Sequence, residues 1–204
     1  MLATRLKAGT APAGGNIEFV GATLNGADRP RNSDLQLGVP IGVQEGDLLI
    51  AICATTQNLG RSDWTTTTEW TLDRTNFGAG LYYKTASTGE PSSYSFFNTS
   101  PRRLMIGSML AYRGADFDVS GSFSESSTPP GVTVSEDGSL LVGFSAENSL
   151  SVLSPPASMT TRVYGTAISG ALVAADEPVD AGLTGSRTFS SGTISQLFSM
   201  KPKG

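Results

Sequence analysis

Histidine is absent from the 204 residues, and cysteine occurs once, at Cys53. Without an imidazole the chain cannot build Ser-His-Asp or Cys-His catalysis and loses nearly all zinc sites, and a single thiol forms no internal disulfide. No catalytic residue, metal site or cofactor is therefore expected. Cys53 ends the apolar run Leu48-Leu-Ile-Ala-Ile-Cys53, where a small thiol packs as core rather than serving as a nucleophile.

Charge is also scarce. Fourteen Lys and Arg against eighteen Asp and Glu give a formal net charge of -4, and no basic stripe exists to follow a phosphate backbone, so nucleic acid is not an expected partner. The densest basic spot, Arg102-Arg103, reads as a solvated strand entry. No stretch of ~18 apolar residues occurs, and the first ten residues lack a continuous apolar segment of the secretory kind, so neither a membrane span nor export by that route is expected.

What is present is a β composition. Gly, Ser and Thr are frequent, no long window carries the 3.6-residue apolar period, and short apolar or alternating runs are punctuated by Gly, Pro, Asn and Asp. Strands are predicted over 17–24, 35–43, 47–56, 70–75, 80–86, 93–97, 104–113, 117–123, 132–134, 139–146, 160–164, 168–174, 187–189 and 193–200. That spacing is the mark of a sandwich or barrel. The expected fold is all-β, an antiparallel β-sandwich of jelly-roll type. It occupies residues 17–204 as one domain behind an N-terminal arm, 1–16, that is flexible or ordered by a partner. Expected core residues are Leu48, Ile50, Ile52, Trp70, Tyr82, Phe96, Ile106, Leu110, Leu141 and Phe144.

The domain is expected to consist of pseudo-repeated halves, about 17–114 and 115–204. Gly46-Asp-Leu-Leu-Ile-Ala-Ile-Cys-Ala-Thr55 recurs, 92 positions later, as Gly138-Ser-Leu-Leu-Val-Gly-Phe-Ser-Ala-Glu147. Met105 through Tyr112 matches Ile194 through Met200, and Gly89-Glu-Pro91 is aligned with Asp176-Glu-Pro178. A period this long exceeds those of solenoids.

Between Gly46 and Gly114 the features follow a specific order: Gly-Asp-Leu-Leu-Ile-Ala, Trp70-Thr-Leu72, Leu81-Tyr-Tyr-Lys-Thr-Ala86, Gly89-Glu-Pro91, Tyr94-Ser-Phe96, and Leu110-Ala-Tyr-Arg-Gly114. This block resembles a β-sandwich (jelly-roll or lectin-like) module of tailed-bacteriophage virion proteins and bacterial surface proteins. The family pattern has Gly before the Trp, whereas this chain has Glu69. The resemblance implies a surface or virion sandwich and brings no catalytic residues. Together with the missing catalytic residue types, it leads to the expectation of a non-enzymatic virion structural protein, a capsid decoration or minor head protein made in the host cytoplasm. Its expected partners are other copies of itself, a trimer being the favoured state, and the major capsid protein. The alternative is a tail-tip or fibre adhesin that binds surface glycan.

Contact candidates are Arg61, Asp63 and Trp64, in a polar loop where the indole is expected to be partly exposed, together with Arg102 and Arg103. Trp64 would anchor a subunit interface or stack on a sugar. Lys84 and Arg113 are expected to pair with Glu90 at the rim. Asp116-Phe-Asp118 and Asp176-Glu177 bring carboxylates together without the spacing of a calcium loop, and read as solvated turn acids. Asn98-Thr-Ser100 matches a glycosylation acceptor, and Gly78-Ala-Gly80 opens no helix and so forms no phosphate loop.

Overall fold

The computed structural model describes residues 16–29, 33–55, 64–98, 103–167 and 170–204; most of the N-terminal arm lies outside them. These residues form fifteen strands and no helix. The first eight are β1 (Glu18–Arg29), β2 (Ser33–Gly38), β3 (Leu48–Thr55), β4 (Trp64–Thr65), β5 (Thr71–Asn76), β6 (Ala79–Thr85), β7 (Ser93–Asn98) and β8 (Arg103–Arg113). The rest are β9 (Ala115–Ser120), β10 (Thr133–Val134), β11 (Ser139–Glu147), β12 (Thr160–Ala167), β13 (Gly170–Val179), β14 (Gly182–Leu183) and β15 (Ile194–Pro202). The strand expected over 187–189 is absent, and Gly182–Leu183 pairs with β10 instead.

All ladders are antiparallel, and the pairing is nested. In the first half β1 pairs with β8, β2 with β7 and β3 with β6; in the second β9 pairs with β15, β10 with β14 and β11 with β13. The five-stranded sheets run β1-β8-β3-β6-β5 and, read from the other edge, β9-β15-β11-β13-β12. In each, the first strand of the half lies beside the last, and the recurring apolar run is the middle strand. A smaller sheet accompanies each, β2-β7-β4 in the first half and β10-β14 in the second. The recurring glycines have one cause: Gly46 and Gly138 both turn the chain into the middle strand with φ of 89° and 74°, a conformation that a Cβ disfavours.

Period-two alternation in the middle strands decides the layers. Leu48, Ile50 and Ile52 of β3 share a core with Val142, Phe144 and Ala146 of β11, so the two large sheets pack on each other. Leu49, Ala51 and Cys53 point the other way, into a second core with Leu35, Leu37, Trp64, Tyr94 and Phe96 of the small sheet. Leu141 likewise meets Val132 and Val134. The order is small sheet, large sheet, large sheet, small sheet. Central strands apolar on both faces are what this stacking demands, and all ten expected core residues are buried.

The free edges of the large sheets share one device. The register skips a residue at Val20 in β1, Asp73 in β5, Asp118 in β9 and Arg162 in β12, whereas the ladders among β3, β6, β8, β11, β13 and β15 run unbroken. Each outer strand therefore carries a bulge that twists its exposed row of N–H and C=O groups away from another chain's strand.

Candidate functional site

Lys84 is the most unusual side chain in the first half. Two residues after core Tyr82 on β6, it shares the face that looks into the core between the sheets and is only 7% exposed. A buried ammonium needs compensation. Its Nζ donates to Glu69 Oε2 at 2.8 Å, to Tyr94 Oη at 2.6 Å and to Glu90 at 3.2 Å. The Tyr94 phenol donates in turn to Glu90 Oε2. The ammonium also lies 4.8 Å from the Tyr94 ring centroid and 5.9 Å from that of Trp70, rings that meet edge to face.

Each partner is placed by local chemistry. Trp70 N–H bonds Thr67 O, closing a turn that presents Glu69, and Thr67 Oγ1 donates to the other Glu69 oxygen at 3.2 Å. The Ser87 backbone N–H and hydroxyl hold Glu90 Oε1 at 2.6 and 3.0 Å.

Protonation follows from these contacts. The hydrogen bond from Lys84 holds the Glu69 carboxyl below its usual range. Burial pushes Glu90 upward, but the bonds from Tyr94, Ser87 and Lys84 outweigh it and leave the carboxyl lowered. Burial similarly opposes the charge on Lys84 and is overcome by Glu69, Tyr94 and Glu90, so the ammonium is raised. Burial and Glu90 push the Tyr94 phenol up to about 12. Every group thus keeps one charge across neutral pH. A proton-transfer catalyst needs a pKa near its working pH, so this arrangement is suited to clamping rather than to acid–base chemistry.

Two clefts flank the cluster. One, of about 510 Å³, lies between the 39–45 and 87–92 segments. The other, of about 320 Å³, lies where β5 begins beside β9 and brings Glu69, Lys84 and Tyr83 together with Asp116 and Phe117. Tyr83 and Phe117 stack with centroids 4.2 Å apart and planes 2° apart, and Phe117 is followed by Phe198 at 6.1 Å.

The residues singled out in the sequence fall elsewhere. Trp64 is not exposed: it opens β4, is 3% accessible, and its Nε1 donates to Gly78 O at 3.0 Å. The indole fills the core between the sheets of its own half, because β4 adds to β7 and turns that face inward. Arg103 begins β8, pairing with Arg29, at the same end of the half as Trp64 and opposite the Lys84 cluster. Arg61, Asp63 and Arg102 lie outside the described residues, as do Thr99 and Ser100 of the glycosylation match.

Lys84 does pair with Glu90, but in the core rather than at the rim. Arg113 does not join them; its Nε and Nη2 each reach a carboxylate oxygen of buried Asp47 at 3.0 Å. Asp176 and Glu177 are not solvated turn acids: Asp176 is buried between the large sheets, accepting from Tyr112 and Arg162, and Glu177 pairs with Arg187. They lie inside β13, so their alignment with the Gly89-Glu-Pro91 turn does not hold. The strand register matches Glu177 with Lys84 instead, since each stands opposite the second leucine of its half's middle strand. Asp118 accepts from Ser135 and Ser199. Among the described residues no three His, Cys, Asp or Glu side chains form a group able to hold a metal.

Sequence reasoning missed Glu69 and Tyr94 as partners of Lys84. The available signal was alternation, because a lysine two places after a core tyrosine must bring its counter-charges inside. No family model, curated protein or solved structure matches the chain.

Proposed function

We propose that the chain is a non-enzymatic structural protein of a tailed-bacteriophage particle, a capsid decoration or minor head protein, built from two jelly rolls joined back to back. The observation that carries this reading is the nested strand order in both halves, 1-8-3-6 against 2-7-4 in the first and its counterpart in the second. A long hairpin rolled over on itself gives that order, and jelly rolls of this kind occur in viral capsid and lectin domains. The 92-residue recurrence and the matching strand ranks support duplication of one half-unit. The step from architecture to role is by analogy.

The Lys84 cluster fits a load-carrying part, since it ties the turn before β5 and the turn after β6 to the sheet with charges that do not titrate near neutrality. Partners are further copies, a trimer being the favoured state, and the major capsid protein. Contact comes from loops and faces rather than from the bulged sheet edges. The aromatic cleft favours a second reading, a tail-tip or fibre adhesin for surface glycan.

Quantitative mass spectrometry of purified particles tests the proposal. Tens to hundreds of copies, matching shell symmetry, are expected for a decoration protein, and a few copies would select the tail. Absence from particles would overturn both.

A further inference from the structure

We propose that the cleft of about 320 Å³ between β6 and β9 binds a single neutral sugar residue. This goes beyond a structural role and holds whether the protein sits on head or tail. The volume lies at the lower end for small-ligand sites, about the size that one pyranose requires.

The wall is an aromatic pair whose planes are fixed before any ligand arrives. Tyr83 comes from the first half and Phe117 from the second, and their stacking at 4.2 Å is extended by Phe198. Rings held against each other in this way give the cleft a rigid apolar wall, beside which the C–H groups of a sugar lose little by leaving water.

The rim decides the class of ligand. Glu69 and Asp116 supply anionic acceptors, the buried Lys84 ammonium is already taken up by Glu69, Tyr94 and Glu90, and Thr71 and Thr85 expose hydroxyls that make no hydrogen bond among the described residues. An anion entering the cleft would meet the two carboxylates, and a metal ion would find no group of three ligand side chains there among the described residues. A polyol meets neither obstacle, since each hydroxyl both donates and accepts, and its bonds to carboxylate are the stronger, charge-assisted kind.

Saturation-transfer NMR on the full chain, with the methyl glycosides of glucose, galactose, mannose, rhamnose and N-acetylglucosamine as probes, tests this. Transfer to at least one glycoside is expected, with a dissociation constant of about 1 mM, typical of a shallow site. Asp116→Asn and Tyr83→Leu should each weaken that binding about tenfold or more. If Tyr83→Leu fails to fold, as monitored by its thermal midpoint, Asp116→Asn alone decides. Absence of transfer from all five probes, or binding that Asp116→Asn leaves intact, would overturn the proposal.

Discussion

Gly26 on β1 and Ala167 on β12 meet across the two halves so closely that a Cβ on Gly26 would stand 2.4 Å from that of Ala167. Next to them, Gly165 accommodates Leu24 in the same way, a Cβ there lying 3.1 Å from the leucine side chain. Backbone approach at this seam lets the large sheets close over their common core. Gly26→Ala is expected to force the edge apart and lower stability by about 1–3 kcal/mol. Adding Ala167→Gly should recover most of the loss, a coupling that urea denaturation of the four variants would measure. Equal stability of Gly26→Ala with and without the second change would show that this contact does not limit the packing.

Lys84, Glu69 and Glu90 give a graded mutational and pH response. Lys84→Met strands Glu90, whose side chain is only 7% exposed, and should cost about 3 kcal/mol or more. Glu69 is 46% exposed, so Glu69→Gln should cost only ~0–1 kcal/mol. The carboxyls are lowered in the fold, so their contribution is present above the unfolded value of ~4.3 and fades as pH falls through the folded value. Lys84 and Tyr94 are raised, so theirs is complete below ~10 and is lost as pH rises above that, through about 12 for Tyr94. Chemical denaturation from pH 3 to 11 should show a plateau with losses at both ends, and Lys84→Met should flatten them; an unchanged profile in that variant would remove the cluster from the account.

Trp64 serves its own half. Trp64→Ala should destabilise the fold by about 3–5 kcal/mol, the range for emptying a buried aromatic site. Trp64→Phe should cost only about 0.5–1.5 kcal/mol, since Gly78 O loses the indole donor but keeps the Thr55 N–H at 2.8 Å. Melting curves and particle incorporation, measured together, check this. Loss of incorporation with the melting curve unchanged would restore the interface role.

The sequence determined the class of fold and much of its core by itself. Short runs between Gly and Pro turns, without a helical period, admit only strands, and the doubly apolar runs at 48–53 and 140–144 had to lie in the middle of covered sheets. The recurrence at 92 positions falls on two strands, each of which is the middle strand of a five-stranded sheet. Boundaries drifted by a few residues, because strand ends depend on partners rather than on the strand's own residues.

Only the tertiary structure decided where polar groups went. Trp64 looked exposed because its flanking residues are polar, yet a two-residue pairing with β7 turns it inward. Lys84 and Glu90 were legible as a pair, but Glu69 and Tyr94 approach from 15 and 10 residues away, distances no local pattern encodes. Asp176 reads as a surface acid until β12 and β8 bring Arg162 and Tyr112 to it. The physical reason is common to all of these: apolar period reports which face of a strand is buried, whereas the partner that neutralises a buried charge is fixed by sheet order, which long-range pairing alone sets.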